Sequence, residues 1–335
     1  MSHPREMPYT LRPMTPQFGT IVESRGAHAL ADLDSAEIAR LFVSSGTLIF
    51  RGFPVDSKSF LELTSVYCRA FMTYQGGGLR FGPLDRESIG GNPTLLSTTG
   101  HTQGFPIDLH GEMYYMKRRP EVLWFFCENA PAKAGETTLC DGLELLRQLP
   151  LETQKFLSTH SIHYIRRLAD GEWQTSFQTQ DPDELRRICN ENGMRLRMLP
   201  EGGGIETEFV SSALSTSPTA RAQAFINNLV LIHRTEAAFE TGWVKENLSD
   251  LKAQKCPMVV RLEDGSRFPD AMIDEIRQIS KRLMLAHSWQ KGDIMMIDNT
   301  RILHGRKESV GKDRAIYVRM AEAGAPLQAA MERRA

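Results

Sequence analysis

The pattern of hydrophobic and polar residues divides the chain into a β-rich part, a helical part and a second β-rich part. Apolar runs of strand length occur at 47–53, 94–98, 109–115, 122–127, 137–140, 257–262, 293–297 and 315–320. Strands in both halves of a chain, without alternating βαβ units, predict a sandwich or barrel with an excursion between its halves. The predicted fold class is therefore mainly β, with flanking helices.

Helix signals are strongest near the N-terminus and in the middle of the chain. Asp34, with Glu37 three residues later, forms a capping-box pattern, and Gly46 is suited to end that helix. Further helices are predicted to begin near Asp181, Ser217 and Asp270.

No stretch of linker-like composition separates the two β-rich halves. Residues 1–335 are therefore expected to form a single domain, with a helical and loop-rich insertion at about 150–255 between the two halves of the β-core.

Charge and cysteine content exclude several classes of function. The 335 residues include 40 basic and 41 acidic side chains, a balance that gives no support to nucleic-acid or membrane-surface binding. The five cysteines contain no C-x-x-C pair, which argues against a disulfide framework or zinc knuckle and favours a reducing compartment. The first 20 residues lack a signal-like apolar region, and no apolar run has the length of a membrane span. A cytoplasmic protein is expected.

Candidate metal ligands occur in two distant stretches. On a strand, residues i and i+2 point to the same face, so His110 and Glu112 can converge on one ion. A histidine beside a surface glutamate is the alternative for this pair alone. His304, after the turn at 298–299, is a candidate third ligand or a structural histidine. Two histidines and one carboxylate form the facial triad typical of non-haem iron(II) oxygenases, which leaves coordination positions open.

Two arginines follow the distal histidine. Arg319 lies within the apolar run 315–320, where a guanidinium is costly without a partner and is suited to bind a carboxylate of a diacid. A buried structural ion pair is the alternative. Arg314, nearer the turn, is either a binding residue or a solvated surface arginine.

Several stretches in the same order resemble the TauD/TfdA superfamily of iron(II)/2-oxoglutarate dioxygenases, and within it the clavaminate-synthase-like and syringomycin-type amino-acid hydroxylases. The similar stretches are 47–53, 110–115 with 123–127, 135–137, 173–177, 227–228 and 292–306. The resemblance implies a double-stranded β-helix, or jelly roll, of the cupin type. It also implies that His110, Glu112 and His304 bind iron(II).

The resemblance further implies where 2-oxoglutarate binds. Arg319 is expected to be its main anchor and Thr137 a helper, with Arg314 as the alternative anchor because the arginine spacing varies in the family. The chain departs from the family at Ala134, where a glycine is usual. Thr138 follows directly, which leaves open which hydroxyl contacts the co-substrate.

The implied activity is hydroxylation of an unactivated carbon with 2-oxoglutarate and O2 as co-substrates. The expected substrate is a small molecule, an amino acid or derivative, free or tethered to a carrier protein; desaturation and cyclisation stay open. The alternatives are a cupin-like hydrolase or isomerase that does not use 2-oxoglutarate, and an inactive barrel with a binding role. Candidate substrate contacts are 75–80, 97–105, Arg301 and Arg306.

Overall fold

The computed structural model describes residues 7–26, 28–76, 86–98, 106–242, 256–310 and 314–334. In chain order its strands are β1 (Tyr9–Pro13), β2 (Thr20–Ser24), β3 (Thr47–Arg51), β4 (Cys68–Arg69), β5 (Ser88–Ile89), β6 (Asn92–Ser97), β7 (Ile107–His110), β8 (Val122–Asn129), β9 (Lys133–Ala134), β10 (Thr137–Asp141), β11 (Ser161–Leu168), β12 (Arg195–Met198), β13 (Ile205–Ser212), β14 (Ser215–Ser217), β15 (Ala222–Ala224), β16 (Met258–Arg261), β17 (Leu285–His287), β18 (Ile294–Asp298), β19 (Ile302–Arg306), β20 (Ser309–Val310) and β21 (Ala315–Ala323).

The helices of the described part are α1 (Ser35–Ser45), α2 (Ser57–Tyr67), α3 (Gly142–Gln148), α4 (Leu151–Thr159), α5 (Glu172–Phe177), α6 (Pro182–Glu191), α7 (Leu229–Glu240), α8 (Asp270–Leu283) and α9 (Ala325–Arg333). Short 3-10 turns occur at Leu30–Asp32 and Pro200–Gly202. None of these helices is long and apolar enough to cross a membrane.

Two sheets form the core, and the site described below lies between them. The larger sheet runs in the order β1-β2-β3-β18-β8-β21-β6-β5, with β4 paired to β21, and the smaller in the order β17-β10-β19-β7. Except for the parallel pair β2–β3, neighbouring strands in both sheets are antiparallel. This is the predicted jelly roll with flanking helices.

Strand β8 separates two hydrophobic clusters because its side chains alternate between the faces of the larger sheet. Leu123, Phe125 and Cys127 belong to the inner cluster, which also contains Leu139 of the smaller sheet. Trp124 and its alternating neighbours belong to the outer cluster, with residues of α1 and α2. One face of the larger sheet therefore packs towards the smaller sheet and the other packs against helices, although both faces are apolar.

The predicted first helix is confirmed. The carboxylate of Asp34 accepts hydrogen bonds from the backbone N–H groups of Ala36 and Glu37, and Gly46 ends α1 with φ 73°. The helices predicted near Asp181 and Asp270 are also present, as α6 and α8.

The helix predicted to begin at Ser217 is wrong. Ser217 ends β14, which pairs with β15 in a short hairpin, and the next helix of the described part begins at Leu229. The Ser217 hydroxyl binds the hydroxyls of Thr219 and Thr300, and Arg221 has φ 54°. The single turn after Ser217 therefore closes the hairpin.

The segment predicted to be a helical and loop-rich insertion also contains strands. Strands β11, β12 and β13 form a separate antiparallel sheet with β16, in the order β12-β13-β11-β16. Strand β16 lies beyond the predicted boundary at about 255. The single domain over 1–335 stays a prediction.

Candidate active site

The three candidate ligands converge where β7 and β19 pair. His110 and His304 are direct partners in the register, and their ring centroids are 4.4 Å apart. One ligand atom from each of His110, Glu112 and His304 lies within 4.8 Å of the others. Side chains nearly 200 residues apart in sequence thus face one point.

Glu112 reaches this point from a turn, which corrects the expectation that it shares a strand with His110. Strand β7 ends at His110, and the N–H of Gly111 donates to the carbonyl of Asn227. A Cβ at Gly111 would lie 2.5 Å from the ring of Tyr114, so a larger residue here would force that ring to shift. Convergence therefore results from the turn and not from strand alternation.

His110 is held as a neutral imidazole with one nitrogen available. Its Nδ1–H donates to the carbonyl of Asp108 at 2.9 Å, which leaves the Nε2 lone pair for a metal. Burial, and then the neighbouring His304, lower the pKa of His110 to about 4. The deprotonated form that binds metal therefore predominates at neutral pH.

The surroundings of His304 also fit a metal ligand. Its Nδ1 is buried without a hydrogen-bond partner among the described residues. Its Nε2 lies 3.6 Å from Oε2 of Glu112, longer than a normal N–H···O hydrogen bond. Nε2 is therefore the nitrogen that is placed to share a cation with Glu112.

Glu112 is 2% exposed and ionised. Oε1 accepts a hydrogen bond from the hydroxyl of Tyr74 at 3.1 Å, and Oε2 lies 2.8 Å from Nη2 of Arg86. Burial alone raises the pKa of Glu112, but Arg86 and then His304 outweigh this effect and lower the pKa well below its usual range. The carboxylate is therefore charged and available to a divalent cation.

Asn299 holds the backbone of Glu112 and was not identified from sequence. Its Oδ1 accepts from the N–H of Glu112 at 2.8 Å, and its Nδ2 donates to the carbonyls of Glu112 and Pro120 at 3.1 and 2.7 Å. Asn299 lies in the turn between β18 and β19. One amide thus connects the turn that carries Glu112 with the chain that leads to His304.

Thr137, and not Thr138, faces the metal-binding side chains. In the register of β10 with β19, Thr137 lies opposite Arg306 and Leu139 lies opposite His304. Directly opposed residues share a face of the sheet, so Thr138 points to the other face. The Thr137 hydroxyl accepts a hydrogen bond from Nε1 of Trp289 at 3.0 Å and still has its own proton to donate.

Arg314 is buried at the same end of the site as Thr137. It donates to the carbonyl of Gly135 at 3.3 Å and to the hydroxyl of Thr98 at 3.2 Å. Burial, and then the charge of Arg306, lower the pKa of Arg314 to about 9. A carboxylate bound here would be stabilised by two buried guanidinium groups.

Arg319 lies on the other face of the larger sheet, which corrects its assignment as the main anchor. It pairs in register with Trp124 of the outer cluster. Its guanidinium donates to the carbonyl of Leu61 at 3.1 Å, and its Cζ lies 3.4 Å from the ring centroid of Phe71. Its partners among the described residues thus lie in α2, in the segment after it and at Thr94 of β6, and not at the triad.

The remaining candidates have mostly structural contacts. Arg301 forms a buried ion pair with Asp141, and Gln75 donates to the carbonyl of Phe177. Arg306 is buried near Arg314. The other proposed substrate contacts at 77–80 and 99–105 lie outside the described residues.

Comparison with known proteins assigns the chain to a family. The model of the family described as "Taurine catabolism dioxygenase TauD, TfdA family" matches residues 10–321. The chain belongs to the TauD/TfdA family. A TauD/TfdA protein with the His-Glu-His triad found here is an iron(II)- and 2-oxoglutarate-dependent oxygenase. Membership leaves no support for the hydrolase or isomerase alternative.

Relatives of this TauD/TfdA protein extend over most of its length. The Dapdiamide synthesis protein DdaC of Enterobacter agglomerans is 26% identical over 318 residues, 92% of this chain and 93% of that protein. A clavaminate synthase-like protein of Arabidopsis thaliana is 26% identical over 280 residues, 80% and 79% of the two chains. The crystal structure of PvcB from Pseudomonas aeruginosa shares the fold, with a TM-score of 0.57 at 15% identity over 96% of this chain and 94% of PvcB.

Proposed function

We propose that this oxygenase hydroxylates an unactivated carbon of an amino acid or amino-acid derivative in secondary metabolism. The convergence of His110, Glu112 and His304, with Nε2 of His304 3.6 Å from the Glu112 carboxylate, carries the proposal. The relatives support the substrate class, since one is named for dapdiamide synthesis. A structure with the same fold is described as an oxygenase from an isonitrile synthetic pathway.

In this proposal His110, Glu112 and His304 bind iron(II). The hydrogen bond from Nδ1–H of His110 to Asp108 sets the tautomer, so that Nε2 faces the metal. Glu112 supplies the negative charge. Because the Glu112 carboxylate occupies a coordination position of the metal, the protein leaves no such position for a halide, and halogenation is disfavoured. Desaturation and cyclisation are compatible with the same three ligands.

Arg314 and Thr137 hold 2-oxoglutarate in the same proposal. Arg314 binds the distal carboxylate, and the Thr137 hydroxyl donates a second hydrogen bond from the neighbouring strand. When bound, iron(II) and 2-oxoglutarate activate dioxygen and release succinate and carbon dioxide. The protein contributes orientation and exclusion of water: the ring of Phe125 lies 5.9 Å from that of His304, and Leu139 packs from the opposite sheet.

The two arginines provide a matched pair of variants for the anchor. Under anaerobic conditions with iron(II), 2-oxoglutarate is titrated while the weak visible charge-transfer band is recorded. Arg314→Met should weaken 2-oxoglutarate binding by about 30-fold or more, because a buried carboxylate loses its counter-charge. Arg319→Met should leave that affinity unchanged, since its guanidinium contacts α2. The opposite ranking of the variants would restore Arg319 as the anchor.

The reaction itself is tested by succinate release. Free amino acids and amino acids loaded on a carrier protein are screened for stimulation of iron-dependent succinate formation, with His304→Ala as the inactive control. The expected result is stimulation by one member of the panel and none in the variant. Turnover retained by His304→Ala would refute the ligand assignment.

A further inference from the structure

Arg86 is a largely buried cation in direct contact with the triad. Its Nη2 lies 2.8 Å from Oε2 of Glu112, and its side chain is 19% exposed. The guanidinium carbon lies 4.3 Å from the ring centroid of Tyr74, and Nη1 is 3.8 Å from the sulfur of Met320. The remaining N–H groups have no oxygen acceptor among the described residues. A cation at such a position requires negative charge nearby.

Glu112 does not supply enough negative charge for both Arg86 and the metal. Iron(II) and 2-oxoglutarate together add no net charge when bound, so among these groups the single negative charge of Glu112 stands against the two cations Arg86 and Arg314, and Arg306 adds positive charge near Arg314. The loaded centre is therefore complementary to a substrate that carries a negative charge.

Arg86 lies at the opposite end of the site from the 2-oxoglutarate anchor. Arg314 directly precedes β21, whereas Arg86 contacts Met320, six residues later on that strand. Six residues of strand span about 20 Å. Val318, between them, pairs with Phe125, the residue that packs against His304. The triad thus lies between two cationic positions, and a five-carbon diacid held at Arg314 leaves Arg86 for another ligand.

We propose that Arg86, supported by the ring of Tyr74, binds a free carboxylate of the substrate close to the metal. The inference rests on the proposed function and narrows its substrate class. The substrate is a free amino acid, because the thioester of a carrier-bound substrate is neutral at that position. The guanidinium shares one edge with Glu112 and presents its other N–H groups to the substrate carboxylate.

The wild-type protein tests the proposal without any substitution. Anaerobic protein loaded with iron(II) and 2-oxoglutarate is titrated calorimetrically with the proteinogenic L-amino acids and with their methyl esters. The expected result is that a free acid binds at least about 10-fold more tightly than its ester. An ester that binds as tightly as its acid, or the absence of binding by every free acid, overturns the proposal. If the proposed function itself fails, the 2-oxoglutarate charge-transfer band is missing, and this result distinguishes it from failure of the Arg86 proposal.

Three variants distinguish a role of Arg86 in binding the substrate from a role in positioning Glu112. Arg86→Gln should abolish the preference for acid over ester while the 2-oxoglutarate band is retained, and Arg86→Lys should restore part of the preference. Tyr74→Phe is the matched control: it removes the hydroxyl on Glu112 but keeps the ring beneath Arg86, and should keep the preference. An Arg86→Gln protein that loses iron affinity yet still prefers the acid overturns the proposal, because Arg86 would then only position Glu112.

Discussion

Asn299 connects the two parts of the metal site, and its removal should weaken both the fold and the binding of the metal. The side chain is fully buried and makes three hydrogen bonds, two of them to the N–H and carbonyl of Glu112. Asn299→Ala leaves three buried backbone groups without these partners. At roughly 1 kcal/mol for each lost hydrogen bond, the variant should lose about 3 kcal/mol of stability.

The effect on the metal follows from the position of the lost bonds. Without the amide, the turn that carries Glu112 can shift relative to His304, and outer-shell losses of this kind lower metal affinity by about 10- to 100-fold. Asn299→Asp keeps the size of the side chain but replaces the donor by an oxygen that faces two carbonyls. It should therefore be no better than alanine.

The assay is an anaerobic iron(II) titration combined with thermal unfolding of the metal-free protein. Asn192→Ala is the matched control, because Asn192 is also buried but binds the N–H of Arg118 and the carbonyl of Ile188. The control should lose stability and keep its iron affinity. Equal iron affinity in the Asn299→Ala and wild-type proteins would refute the reasoning, since the clamp would then not position the ligand.

Three other features lead to expected outcomes. Trp289→Phe removes the donor to Thr137, and should weaken 2-oxoglutarate binding by about 5-fold in the anaerobic titration, the value of one neutral hydrogen bond. The pKa of His110 is about 4 in the fold, below roughly 6.5 for an unperturbed histidine. The unfolded chain therefore binds the proton more readily, so the urea concentration at the unfolding midpoint of the metal-free protein should decrease as the pH is lowered from about 6.5 to about 4. A midpoint that increases over this range would contradict the reasoning. Because burial raises the pKa of every cysteine thiol, iodoacetamide should label all five cysteines only after denaturation, with rapid labelling of the native protein as the contrary result.

Local sequence was sufficient where the determining interactions are local. The cap of α1 is made by Asp34 on residues two and three positions away, and Gly46 ends the helix through its own backbone preference. The pair His110 and Glu112 could be identified because its members are close in sequence, and the resemblance of the block around His304 supplied the third side chain.

Local sequence could not show on which face of the larger sheet each arginine side chain lies. Strand β21 is buried on both faces, so its sequence lacks the polar and apolar alternation that identifies the inner side of a half-exposed strand. Only the pairing of Arg319 with Trp124, and the packing of α2 over that face, places its guanidinium away from the metal. Arg314, one residue before the strand, is thereby left as the candidate anchor.

The groups around the ligands were decided by tertiary structure alone. Tyr74 and Arg86 precede Glu112 by 38 and 26 residues, and Asn299 follows it by 187. No spacing rule connects such positions, since their contacts exist only after the two sheets have closed on each other. The strand pattern of the sequence indicated a β sandwich or barrel, and its resemblance to a family indicated the jelly roll and the three candidate ligands, because strand patterns and ligand motifs are carried by short segments. The tertiary structure decided which cations face the metal, because that depends on how buried strands pack.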